Sequence, residues 1–118
     1  MADVTVYFNP SCSKCRASRE LLEERGVDAN YLRYLDEAPS RADLEQVMQL
    51  LGIGDPRAMM RTGEVRYKEL GLAQVTSQDE LLDAMAANPI LIERPIVIRG
   101  GRAVIARPPE RLLELLED

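Results

Sequence analysis

The chain has 118 residues, 20 acidic against 15 basic, two Cys, and neither His nor Trp. That length fits a single domain, and 46% hydrophobic residues supply a core without disulfide staples. The missing His excludes Ser-His-Asp and Cys-His nucleophiles, HExxH metalloproteases and C2H2 zinc fingers, and two Cys cannot close a four-ligand zinc or iron–sulfur site within one chain.

A net charge of −5 argues against direct nucleic-acid binding. No apolar run approaches the ~18 residues of a membrane span. Met1-Ala2-Asp3 runs straight into a strand-like segment, with no room for a signal peptide. The expected location is the cytoplasm, with cysteines reduced unless catalytic. Of the 15 basic residues 13 are Arg, a planar fork of donors suited to oxyanions, although a codon bias explains the excess as well.

Val4 to Phe8 is β-branched and aromatic, as a buried strand would be. Asn9-Pro10-Ser11 is turn chemistry. Cys12 to Arg25 is helical, with Ala17, Leu21 and Leu22 on one face and Gly26 as its stop. Tyr31 to Leu35 reads as a second strand, parallel to the first because a helix joins them.

Ser40 and Asp43 form a capping-box-like start for a helix with Leu44, Val47, Met48 and Leu51 on its apolar stripe. Asp55-Pro56 opens a short helix through Arg61, and Glu64 to Gly71 another. Ser77 to Glu80 is a capping box leading Leu81, Leu82 and Met85, and Asn88-Pro89 ends that helix. Ile96–Ile98 and Ala103–Ile105 flank Gly100-Gly101, a hairpin signal. Pro108-Pro109 starts a terminal helix carrying Leu112, Leu113, Leu115 and Leu116.

The order βαβ, helical block, ββα predicts an α/β fold with a four-stranded mixed sheet, the thioredoxin-like layout. Residues 1–118 then form one domain, with a helical insertion over about 40–88.

The chemistry centres on Cys12-Ser13-Lys14-Cys15, at the start of the first helix. CxxC at that point of a βαβ unit reads as a redox motif. Unsatisfied N–H groups there favour a Cys12 thiolate by up to about 2 kcal/mol, moving its pKa from about 8.5 to near 7. Further lowering calls for nearby arginines. The junction is expected to be exposed, which weighs against two cysteines acting only as small hydrophobes. Arg94-Pro95 precedes the third strand, where thioredoxin-like proteins place a cis-proline facing the redox cysteine.

Several ordered motifs carry a resemblance. They are Tyr7-x-Asn9-Pro10-x-Cys12, Tyr34-Leu35, Pro39-Ser40-Arg41, Arg57-x-x-x-Arg61 and Tyr67-x-x-Leu70-Gly71-Leu72. Further along come Pro89-Ile90-Leu91-Ile92-x-Arg94-Pro95-Ile96-Val97 and Arg107-Pro108. From Val4 to Leu116 the chain resembles the ArsC family, the glutaredoxin-coupled arsenate reductases.

The resemblance implies a nucleophile at Cys12 and a substrate clamp of Arg61, Arg94 and Arg107. It implies arsenate as substrate, no metal or organic cofactor, glutathione as thiol co-substrate, and glutaredoxin or thioredoxin as reductant. Three guanidinium forks suit a tetrahedral oxyanion and a thiolate alike. Monomer is the expected state.

Phe8 stands where these enzymes often carry a His, and Cys15 is an extra cysteine, a candidate resolving thiol. Both features look like a short CxxC branch related to Spx-like proteins. Two other functions therefore stay open: a general thiol–disulfide oxidoreductase, and an Spx-like redox-sensing regulator that binds RNA polymerase.

Overall fold

A computed structural model describes residues 3–116. The chain packs as two compact units, one from Met1–Glu37 with Arg94–Asp118, the other from Ala38–Glu93.

In the first unit the order is β1 (Val4–Tyr7), α1 (Ser13–Glu24), β2 (Ala29–Leu32), β3 (Ile96–Arg99) and β4 (Arg102–Ile105), then a 3-10 helix over Pro109–Leu115. The strands lie in the order β2-β1-β3-β4. β1 and β2 are parallel, while β1–β3 and β3–β4 are antiparallel. This is the mixed α/β sheet of the thioredoxin-like layout.

Period two decides the core. Val4, Val6 and Phe8 share a face, and the register lines up Tyr31, Val6, Val97 and Val104 across the sheet. Leu22 of α1 and Leu112 of the final turn pack into the same cluster, with both cysteines. Burying a Leu of this kind stabilises by roughly 1.5–3 kcal/mol.

Two expected elements differ. The second strand spans Ala29–Leu32 rather than Tyr31 to Leu35. Its pairing ends where the Phe8 N–H donates to the Leu32 carbonyl, 2.8 Å. Tyr34 leaves the ladder, is buried and stacks on Tyr7, while Leu35 is 43% exposed. The terminal segment is 3-10 rather than α-helical. Its buried residues, Pro109, Leu112 and Leu115, repeat every third position, which is the 3-10 period.

The inserted block forms the second unit. It holds α2 (Arg41–Leu51), α3 (Val65–Glu69) and α4 (Gln78–Ala87), with 3-10 turns over Pro56–Met59, Leu72–Gln74 and Pro89–Leu91. Ser40 closes a full capping box with Asp43, and the Ser77 hydroxyl accepts from the Glu80 N–H. Gly52 ends α2 in the left-handed region, φ 71°, which L side chains rarely adopt. The turn opened by Asp55-Pro56 stops at Met59, short of Arg61. Met60 instead bridges to Ile92.

Candidate active site

The loop between β1 and α1 builds the nucleophile's position. The Asn9 side-chain oxygen accepts from the Ser11 N–H, 2.9 Å, and the Asn9 carbonyl accepts from the Cys12 N–H, 3.0 Å. Arg16 reaches back from α1 and donates to the Pro10 carbonyl, 3.0 Å. Three local bonds therefore fix the turn that delivers Cys12 to the helix N-cap. Cys12 sits there with extended backbone, φ −93° and ψ 122°. Turn chemistry at Asn9-Pro10-Ser11 is readable in sequence, but the bracing by Arg16 is not.

The neutral Cys12 side chain makes no capping hydrogen bond. The thiolate has better partners. Burial opposes the charge, but the Cys15 backbone N–H, the Cys15 thiol, the Lys14 N–H and the Arg94 charge together hold Cys12 below its usual value near 9. This is the expected order, the helix terminus first and an arginine after it. Backbone donors of the first helical turn lead, and Arg94 is the arginine that contributes.

The expected exposure is revised. Cys12 is 8% exposed and Cys15 is 0% exposed. Val6, Phe8 and Leu22 close over them because α1 lies on the apolar face of the sheet. Both cysteines are free thiols. Burial first, then the hydrogen bond to Cys12 and its charge, push Cys15 up to about 12, against the Asn9 N–H and Arg94. The pair is therefore asymmetric: Cys12 ionises more readily than an ordinary thiol and Cys15 less readily.

Arg94 and Arg107 lie in the same unit as the cysteines. The Arg107 guanidinium donates to the Arg94 carbonyl, 3.0 Å. The Arg94–Pro95 bond is cis, as the layout suggests, and so is Arg107–Pro108. Pro95 also offers its carbonyl to the Ala106 N–H, 2.9 Å, tying the segments before β3 and after β4 together.

Phe8 is buried, meets Tyr31 edge to face, and carries the Arg19 guanidinium over its ring at 5.1 Å. An aromatic here gives apolar packing where a His would give a titrating neighbour.

Arg61 belongs to the second unit. Its backbone N–H donates to the Leu91 carbonyl, 2.8 Å, and its guanidinium meets the Glu64 carboxylate at 3.1 Å. Glu64 is a partner the sequence reading missed; its spacing of three from Arg61 is the available signal.

Arg57, four residues earlier, is fully occupied inside that unit. It donates to the Tyr67 hydroxyl at 3.0 Å and to the carbonyls of Leu72 and Val75, and it pairs with Asp55. That separates the two arginines that spacing alone leaves equivalent. Among the described residues no group of three or more His, Cys, Asp or Glu side chains could hold a metal ion. Nor is any helix among them long and apolar enough to cross a membrane.

Known proteins match this arrangement. The model of the ArsC family matches residues 7–115. A Neisseria meningitidis serogroup A protein named arsenate reductase is 43% identical, over 98% of this chain and 100% of its own length. A Haemophilus influenzae protein of the same name is 46% identical, over 96% of this chain and 98% of its own. The solved structure of an arsenate reductase from Vibrio cholerae matches with a TM-score of 0.93 and 46% identity, covering 97% of this chain and 98% of that one. Because the match runs from the first strand to the final turn, the chain belongs to the ArsC family.

Proposed function

We infer that this protein is an arsenate reductase whose nucleophile is Cys12. The observation that carries the reading is the Cys12 sulfur, whose ionisation is favoured by the first helical turn with Arg94 acting on the same charge. Family membership and relatives named arsenate reductase at 43–46% identity support it.

The thiolate attacks arsenic and displaces an oxygen as hydroxide, which takes up a proton from solvent. A thiol–arsenate adduct results. Arg61, Arg94 and Arg107 bind its oxyanions as the clamp. A second thiol then attacks the Cys12 sulfur. The electron pair of the S–As bond stays with arsenic, arsenite leaves, and Cys12 is left in a disulfide. Reducing equivalents come from glutathione with glutaredoxin, or from thioredoxin. The protein acts in the cytoplasm, as a monomer, with no resident metal or organic cofactor.

The test is arsenite formation from arsenate with glutathione and glutaredoxin present. Wild type is expected to turn over and Cys12→Ser to be inactive. Arg61→Lys and Arg107→Lys are expected to raise KM for arsenate. Wild-type arsenite at the no-enzyme level would overturn the reading. Disulfide exchange surviving in that case would point to a general thiol–disulfide oxidoreductase.

A further inference from the structure

We propose that Cys15 is the second thiol of this reaction, attacking the Cys12 sulfur of the adduct, so that the oxidised enzyme carries an in-chain Cys12–Cys15 disulfide. The proposal rests on the arsenate reductase reading above.

Access favours Cys15. An external thiol must reach a residue that is only 8% exposed, whereas the Cys15 thiol is already in hydrogen-bond contact with Cys12. Cβ atoms three apart on a helix are about 5–6 Å apart, and a disulfide wants about 3.5–4.5 Å. Cys12 lies at the N-cap with extended backbone, outside the helical constraint, so the gap closes by a small motion of one residue. An intramolecular attack also avoids the entropy of a bimolecular encounter.

Charge supplies the timing. In the resting enzyme Cys15 stays protonated. Apart from burial, what keeps it so is its bond to the Cys12 thiolate and the charge on that thiolate. Both disappear when the Cys12 sulfur bonds to arsenic. The Asn9 N–H and Arg94 remain, and both favour a Cys15 thiolate. Formation of the adduct thus removes two of the three influences that keep Cys15 protonated, while burial, the largest, remains.

The step balances. The S–As bond breaks and an S–S bond forms. Arsenic goes from As(V) to As(III) as two thiols become one disulfide. The proton of Cys15 ends on an arsenite oxygen. Regeneration then requires dithiol exchange, so the partner is a dithiol-bearing reductant protein.

Two experiments test this. In the first, reduced and desalted protein receives arsenate with no added thiol. Wild type is expected to release one arsenite per chain, and peptide mapping to find Cys12 linked to Cys15. Cys15→Ser is expected to release none until glutathione is added, and then to carry glutathione on Cys12. Equal single-turnover yield from wild type and Cys15→Ser, or a wild-type requirement for glutathione, would overturn the proposal.

The second uses diamide as oxidant and needs no arsenate, so it separates failure of the proposal from failure of the arsenate reading. Wild type is expected to lose both thiols within one chain. Disulfide-linked dimers, or glutathione trapped on wild-type Cys12, would overturn it.

Discussion

The two units hold themselves together differently. In the first, an apolar row across the sheet packs under α1, and Ser18 is the polar residue buried among the described ones. The arginines proposed for its clamp, Arg94 and Arg107, sit on the segments flanking the β3–β4 hairpin. The second unit has an apolar core of its own, including Leu44, Leu81, Met85 and Leu91. Yet its turns are fastened by guanidinium groups. Arg57 gathers the loops at Leu72 and Val75, and Arg41 draws Glu45, Asp79 and Asp83 together between α2 and α4. Guanidinium groups fasten the first unit too, where Arg16 braces the turn before α1 and Arg99 donates to the Leu115 carbonyl. Because arginines fasten both units, residue type alone does not identify the clamp.

The largest effect expected from this contrast is at Leu22, wholly buried under α1. Leu22→Ala should cost about 3–4 kcal/mol in urea unfolding, with no dependence on salt. A loss under about 1 kcal/mol would mean that the frame refills the cavity and that apolar packing is not what holds the first unit.

Next comes Arg57→Met, which takes the charged donor away from the Leu72 and Val75 carbonyls and the Tyr67 hydroxyl in a half-buried setting. About 2–3 kcal/mol should be lost, because hydrogen bonds to charged groups are the stronger kind. Amides of 65–75 should exchange faster, while those of β1 and β3 keep their protection. A raised KM for arsenate without faster exchange would instead make Arg57 part of the clamp.

The sequence discloses the periodic parts of both units and little else. Val4 to Phe8, the hairpin about Gly100-Gly101 and the two Ser-capped helices are set by local patterns, and the structure repeats them within a residue or two. Tyr34 misleads because a buried tyrosine after a strand looks like more strand. Its stacking on Tyr7, a contact far along the chain, takes it out of the ladder, which ends at Leu32.

The site follows the same rule. Cys12 and Cys15 announce themselves through CxxC and the turn before it. Their burial does not, since it is made by Val6, Phe8 and Leu22, each from a different stretch of sequence. The roles of Arg57 and Glu64 depend on where turns without periodicity bring the chain back.

Arg41 tests the weaker end of the contrast. Its partners are exposed carboxylates, so Arg41→Met should cost only about 0.5–1 kcal/mol. The difference should shrink in 1 M salt, where the Debye length is about 3 Å. A salt-independent loss would assign the effect to the packing of the side-chain stem instead.

At neutral pH the smallest effect is expected from the Cys15 proton, yet its sign is fixed. Folding raises Cys15 from near 9 to about 12. Its contribution to stability is therefore complete below pH 9 and is lost as pH rises from 9 through 12, where the unfolded chain sheds the proton first. Cys12 shifts the other way, downward. Its contribution changes only below 9 and leaves the alkaline slope untouched. Tyr31, raised by burial and then by Glu23, adds the same alkaline loss to any variant that keeps it. Comparing urea midpoints of wild type and Cys15→Ala between pH 8 and pH 11 thus isolates Cys15. The variant should lose less stability over that interval. Parallel curves would mean that Cys15 ionises as readily in the folded chain as in the unfolded one, and the buried donor of the first unit would be no different from an exposed thiol.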